Sequence, residues 1–130
     1  MPKQCKGHIF VIQKHYSTRL HYDLRLEKDG VLKSWAVPKE PPGQKGIKRL
    51  AIQVEDHELG YEHFEGRISE GMYGAGTVEI WDRGYYVPIK FQANEIIVGF
   101  DGERLKGTYC LIKMKPKVPT DKNWLFFKIK

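Results

Sequence analysis

Apolar and polar residues alternate along most of this chain. The alternation is clearest at residues 20–27, where Leu20, Tyr22, Leu24 and Leu26 fall on one side and His21, Asp23, Arg25 and Glu27 on the other. A period of two is that of a half-buried β-strand. The β-branched and aromatic run over 8–12 leads into Gln13 as an earlier strand, and Lys28-Asp29-Gly30 supplies an Asp-Gly turn into a partner over 31–37, so the pair reads as a hairpin. Trp35, inside that alternating partner, is expected in the core. Residues 49–55 alternate again, with Leu50, Ile52 and Val54 expected inward and Arg49, Ala51, Gln53 and Glu55 outward, so that Arg49 shares the polar face with Arg25. Asp56 and His57 close that strand, and Tyr61 follows within reach.

Between these runs, PKEPPGQKGIK at 38–48 is too rich in Pro, Gly and Lys for regular structure and reads as a mobile basic loop. Residues 64–84 hold glycines at 66, 71, 74, 76 and 84, which calls for a test against nucleotide-binding loops. That test fails, because no Gly-Lys-Ser/Thr occurs and the glycines lead into a strand over 77–82 instead of a helix. They are expected at turns and close backbone contacts on a barrel rim. Asp82-Arg83-Gly84, Asn94-Glu95 and Asp101-Gly102 then punctuate strands over 85–91, 96–100, 106–114 and 124–130. Turns at roughly 8- to 12-residue spacing with no sustained helical period predict a mainly all-β fold, a compact closed or partly open β-barrel with little helix.

The chain has 130 residues, a length that fits one domain over 1–130. Its formal charge of +6, from 22 Lys and Arg against 16 Asp and Glu, suits a polyanionic partner. Two cysteines, Cys5 and Cys110, with no CxxC and no secretory leader, point to a reducing cytoplasmic setting and away from thiolate metal ligation. Residues 1–8 are short, polar and loose, and no apolar run is long enough to cross a bilayer, so a soluble monomer with no membrane partner is expected. His8 and His63 read as ordinary surface residues.

On a strand, side chains two apart share a face at roughly 6 to 7 Å, which lets His21 and Asp23 converge on one ion. His15 joins them if Tyr16-Ser17-Thr18-Arg19 folds back as a bulge or loop. Two imidazoles and a carboxylate suit Mn²⁺, Fe²⁺ or Zn²⁺ better than Mg²⁺ or Ca²⁺, and three ligands leave positions open for chemistry. On spacing alone a second reading stands beside this one. His21 and Asp23 can simply hydrogen-bond each other on a solvated face while Arg25 pairs with Glu27.

Taken together, His15, His21, Asp23, Arg25, Lys39, Arg49, His57 and Tyr61 resemble the pattern of the 3′-phosphoesterase domain of bacterial DNA ligase D and its free-standing relatives. The likeness rests on FVIQKHYSTRLHYDLRLEKDGVLKSWAVPK at 10–39, VEDHELGYEHFEG at 54–66 and EGMYGAGTVEIWDRG at 70–84, and the terminal WLFFKIK extends it along nearly the whole chain. The resemblance implies an enzyme that trims DNA 3′ ends with a divalent metal, typically Mn²⁺, removing a terminal ribonucleoside and then the 3′-phosphate to leave a 3′-hydroxyl. It implies His15, His21 and Asp23 as metal ligands, Arg25 and His57 as holders of the scissile phosphate with Tyr61 nearby, and Lys39 and Arg49 as supporting cations. Gln13 and Glu55 would support the ligands from behind. The implied partners are DNA 3′ ends, including primer-templates bearing a 3′-ribonucleotide or 3′-phosphate, and a separate ligase or polymerase of an end-joining system. Two departures stand out. Only residues 1–12 precede Gln13, where fused members often carry an arm with further polar contacts, so the resemblance supports phosphate removal more strongly than nucleoside removal. The family's Ile-Pro-Glu-Gly reads Ile68-Ser69-Glu70-Gly71, a swap expected to be structural.

In such a mechanism the metal and the Arg25 fork neutralise phosphate oxygens, and His57 stabilises the transition-state charge or protonates the leaving oxygen. His21→Ala and Asp23→Ala are expected to abolish processing and leave the fold intact. Two rival classes fit the same residues. One is a non-catalytic nucleic-acid-binding barrel, separated by chelator-sensitive turnover of a 3′-phosphate. The other is a non-haem iron oxygenase built on His21, Asp23 and His57, which needs iron and oxygen and leaves His15 and Arg25 unemployed.

Overall fold

Short antiparallel strands with one apolar face bury that face best by curling the sheet onto itself, which also removes its edges. The computed structural model describes residues 8–72 and 75–130. Its strands are β1 (His8–Tyr16), β2 (Leu20–Lys28), β3 (Val31–Val37), β4 (Lys48–Glu58), β5 (Gly66–Ile68), β6 (Gly76–Phe91), β7 (Glu95–Gly102), β8 (Lys106–Lys113) and β9 (Asn123–Lys128), with one 3-10 turn at Tyr61–His63. The order β1-β2-β3-β4-β9-β8-β7-β6 closes when β6 pairs back onto β1, giving an antiparallel β-barrel with β5 attached to the start of β6. This is the expected fold class, in its closed form. The expectations for residues 1–7, Cys5 among them, and for Tyr73 and Gly74 in the glycine-rich turn fall outside the described residues.

Paired residues of antiparallel strands share a face, so register sorts the side chains. Tyr22 opposite Val37 and Leu24 opposite Trp35 point into the lumen, where all four are buried. Trp35 meets Trp124 edge to face at 5.6 Å, and Phe100 meets Phe126 in the same way. Each fully buried side chain of this size contributes about 1.5–3 kcal/mol, so stability resides chiefly in the lumen. The opposite face of β2 carries Asp23 and Arg25. It is not solvated: both are only 7% exposed. The segment after β4 covers it, and Gln13 Nε2 donates to the carbonyls of Tyr61 (2.8 Å) and Phe64 (3.2 Å) from beneath.

Three expectations need correction. On β4 the phase is inverted: Ala51 is fully buried, whereas Leu50 is 40% exposed. Ala51 pairs with Trp124, and a small residue fits where the lumen already holds that indole. Leu50, Ile52 and Val54 therefore face outward with Asp23 and Arg25, and Arg49 takes the other face, its Nε donating to the Glu40 carbonyl at 2.8 Å. Second, Asp82-Arg83-Gly84 is no turn but the middle of the 16-residue β6. The Asp82 carboxylate is buried and accepts the backbone N–H groups of Arg83, Glu103, Arg104 and Leu105, so this acid organises a turn distant in sequence. Gly84 is needed there because a side chain would run into the Asp101 carbonyl. Third, the irregular loop over 38–48 is pinned at its centre, with Pro41 and Pro42 buried and Tyr109 Oη donating to the Pro42 carbonyl at 2.7 Å.

Candidate metal and phosphate site

The β1–β2 register places His15 opposite His21 and Gln13 opposite Asp23. Tyr16-Ser17-Thr18-Arg19 forms the hairpin tip, so the second imidazole arrives as a cross-strand neighbour, with ring centroids 4.8 Å apart. Asp23 lies between them: Oδ2 is 3.5 Å from His15 Nδ1, and Oδ1 is 3.2 Å from His21 Nε2. One donor atom from each of the three falls within 4.8 Å of the others. His21 Nδ1 sits 3.1 Å from the Arg19 carbonyl, which fixes the ring and aims Nε2 at the shared point.

The electrostatics favour a cation there. Burial works against the Asp23 charge, but the hydrogen bonds from His15 and His21, together with Arg25, outweigh it and hold the carboxyl well below the usual range. His21 is pushed up, first by its hydrogen bond to Asp23, and its Nε2 faces the carboxylate at the point where the three donors converge. Two imidazoles and an ionised carboxylate converging on one point, with an outer hydrogen bond orienting a ring, fit a divalent transition metal.

Arg25 is the next residue on the same face. Its Nε donates to Gln13 Oε1 at 2.7 Å and its Nη1 to Ser34 Oγ at 2.8 Å, while Nη2 lies 3.7 Å from Asp23 Oδ2. Burial lowers its pKa and Asp23 opposes that, and a guanidinium stays charged throughout. It does not pair with Glu27, whose carboxylate instead accepts the Ile9 backbone N–H. Tyr61 lies over the guanidinium at 4.9 Å and is stacked between His57 at 3.7 Å and Phe64 at 5.1 Å. Burial, then the charge of Arg25, pushes His57 below its ordinary pKa, which favours the neutral ring. Its buried Nδ1 makes no well-formed hydrogen bond among the described residues. Burial raises the Tyr61 hydroxyl, which keeps its proton.

His15, His21, Asp23, Arg25, His57 and Tyr61 thus line one pocket of about 690 Å³, with Glu55 on its exposed rim. Gln13 stands directly behind Arg25. Lys39 and Arg49 do not line the pocket. Ser34 and Phe64 escaped the sequence reading. Ser34 was recoverable, because the turn at Asp29-Gly30 sets Lys28 opposite Val31 and counting back sets Arg25 opposite Ser34. Phe64 had no such signal, since nothing local ties the segment after β4 to β1.

Comparison with known proteins sets this closed barrel, with its pocket on the outer face, in a family of DNA ligase D domains. The sequence model of the DNA Ligase D 3'-phosphoesterase domain matches residues 13–113, and the chain belongs to that family. The multifunctional non-homologous end joining protein LigD of Mycobacterium bovis is 51% identical over 116 residues, 86% of this chain and 15% of the relative. Its namesake in Pseudomonas aeruginosa is 50% identical over 109 residues, 80% of this chain and 13% of the relative. In Mycolicibacterium smegmatis the figures are 45% over 141 residues, 100% of this chain and 18% of the relative. The chain therefore spans less than a fifth of these relatives' length.

Proposed function

We propose that residues 1–130 act as a single metal-dependent phosphoesterase domain that removes a 3′-phosphate, and a 3′-terminal ribonucleoside before it, from DNA ends to leave a ligatable 3′-hydroxyl. The observation that carries this reading is the convergence of His15, His21 and Asp23 with a buried guanidinium fixed 3.7 Å from the same carboxylate. Mn²⁺ is the ion proposed for the triad, with other divalent transition metals acceptable to the same donors. When bound, such an ion supplies charge neutralisation at a phosphate oxygen and lowers the pKa of a coordinated water.

The chain's own groups supply the rest. Arg25, held by Gln13 and Ser34 on one edge, presents its remaining N–H groups to two non-bridging oxygens. Because the fork is fixed before substrate arrives, little reorganisation opposes the developing charge. A phosphate bound beside His57 counters the repulsion that Arg25 exerts on the ring and so favours its proton-bearing form, which can donate to a phosphate oxygen or to the leaving oxygen. Tyr61, still protonated, adds a donor beside it. Lys39 and Arg49 would act only through longer-range attraction, and Glu55 through the rim.

DNA 3′ ends are the proposed substrate, with a separate ligase or polymerase of an end-joining system as partner and the cytoplasm as the setting. Among the described residues no helix is long and apolar enough to cross a membrane. The test is incubation with Mn²⁺ of primer-templates ending in a 3′-phosphate or in one ribonucleotide, followed by analysis of the product ends. Release of inorganic phosphate that stops with chelator supports the assignment, and unchanged termini at saturating Mn²⁺ would defeat it.

A further inference from the structure

We infer that the groove between β4 and the β8–β9 loop carries the sugar-phosphate backbone of the strand whose 3′ end lies in the pocket, an assignment that rests on the phosphoesterase reading. The groove, about 740 Å³, is lined by Lys33, Gln53, the β4 segment Val54 to Asp56, Lys113, Pro119, Asp121 and Lys122. Val54, Glu55 and Asp56 also line the pocket that holds His15, His21 and Asp23. The two cavities share one wall, so a polymer leaving the pocket across that wall enters the groove.

The charge of the groove suits a polyanion. Lys113 and Lys122 are exposed in its wall, and Lys115 and Lys117 are exposed in the loop between them. None of these four ammonium groups has an acidic partner among the described residues. The acids nearby are mostly engaged. Asp121 Oδ2 accepts the backbone N–H groups of Lys117 at 2.8 Å and Val118 at 3.2 Å, and Asp56 pairs with Lys33 at 3.0 Å. That leaves Glu55 as the unengaged carboxylate among the described lining residues; the lining holds three lysines against three acids, and Lys115 and Lys117 of the loop add two further positive charges.

The wall is also held in place. Gln53 N donates to the Lys122 carbonyl at 2.8 Å and Met114 N to the Asn123 carbonyl at 2.9 Å, tying both ends of the loop to the barrel. Among the described residues no aromatic side chain lines the groove, so it grips backbone phosphates and does not stack bases. Binding there is independent of base sequence.

The test uses the full chain carrying Lys113→Ala, Lys115→Ala, Lys117→Ala and Lys122→Ala together, all at exposed positions outside the pocket. Turnover is compared on two substrates with the same 3′-phosphate, a dinucleotide and a long primer-template, and binding of the labelled primer-template is measured by anisotropy in chelator. The variant should process the dinucleotide as wild type does. For the primer-template, KM and Kd should rise about tenfold at moderate salt, and the slope of log Kd against log salt should fall by roughly 0.7 for each phosphate left without a neutralising lysine. Wild-type affinity and salt slope in the variant would overturn the inference. Loss of polyglutamate binding with DNA binding intact would assign the groove to an acidic protein segment and also overturn it. A wild-type protein that turns over neither substrate would defeat the phosphoesterase reading, while the anisotropy measurement still decides the groove.

Discussion

Gln13 and Arg25 are joined by a 2.7 Å hydrogen bond from the guanidinium Nε to the amide oxygen, while the same amide's nitrogen holds the Tyr61 and Phe64 carbonyls. One fully buried side chain therefore sets both the pocket arginine and the segment that covers it. Gln13→Leu should destabilise the fold by about 1–3 kcal/mol, since it leaves buried polar groups unpaired. Gln13→Glu keeps an acceptor for Arg25 and loses the donor to the two carbonyls, so it should retain more turnover than Gln13→Leu. Urea denaturation and 3′-phosphatase rates on both variants check this, and equal rates would argue against Gln13 positioning Arg25.

Metal binding and folding should separate at His21 and not at Asp23. His21→Ala removes a half-buried ring at the pocket edge, so manganese affinity and turnover should collapse with little change in stability. The expectation that Asp23→Ala also leaves the fold intact does not suit its surroundings. Its loss strips the nearest carboxylate from buried Arg25, and breaking such a pair costs about 3–5 kcal/mol. Thermal melts and manganese titration by calorimetry should show His21→Ala folded without high-affinity metal, and Asp23→Ala clearly less stable.

In chelator the stability of the protein should depend on pH in two opposite ways. Asp23 is held below its unfolded value of about 3.9, so the unfolded chain binds more protons and stability falls as pH drops through the carboxylate range. His21 is raised above about 6.5, so its contribution is complete below that pH and is lost as pH climbs through the raised value. Asp23→Asn should flatten both limbs, because it removes the partner responsible for each. Denaturation midpoints between pH 3 and 9 provide the check.

Asp82 should matter for folding alone. Asp82→Ala takes the acceptor from the Arg83 N–H and from the three N–H groups of the turn at Glu103, Arg104 and Leu105, and a loss on the order of 3 kcal/mol is expected. Gly102→Ala should do similar damage, since its added carbon would sit 2.6 Å from both Asp82 Oδ2 and Phe10 Cζ. Denaturant midpoints should fall for both variants, with kcat at low temperature unchanged. A selective fall in kcat would instead link this turn to the pocket.

The sequence made the β2 face legible because a period of two puts His21, Asp23 and Arg25 on one side whatever the strand pairs with. It did not show that this side is covered. The cover comes from the segment at 61–64, tied to β1 through Gln13 across 48 to 51 residues. On β4 the alternation was plain but its phase was not, because only the Trp124 opposite Ala51 decides which face is inward. Arg49 was misplaced with it. Asp82-Arg83-Gly84 carries the composition of a turn, and only N–H donors 21 to 23 residues away reveal the acid as their anchor.

The parity of β2 offers a practical handle. Tyr22, Leu24 and Leu26 fill the lumen, His21, Asp23 and Arg25 line the pocket, and the two sets meet different neighbours. A randomised library restricted to Tyr22, Leu24 and Leu26 would explore heat tolerance, whereas one restricted to His21, Asp23 and Arg25 would explore ion preference and substrate choice. Of the outer set, His21 can be varied without loosening the lumen, whereas Asp23 and Arg25 tie the pocket to the stability of the fold through their buried pair.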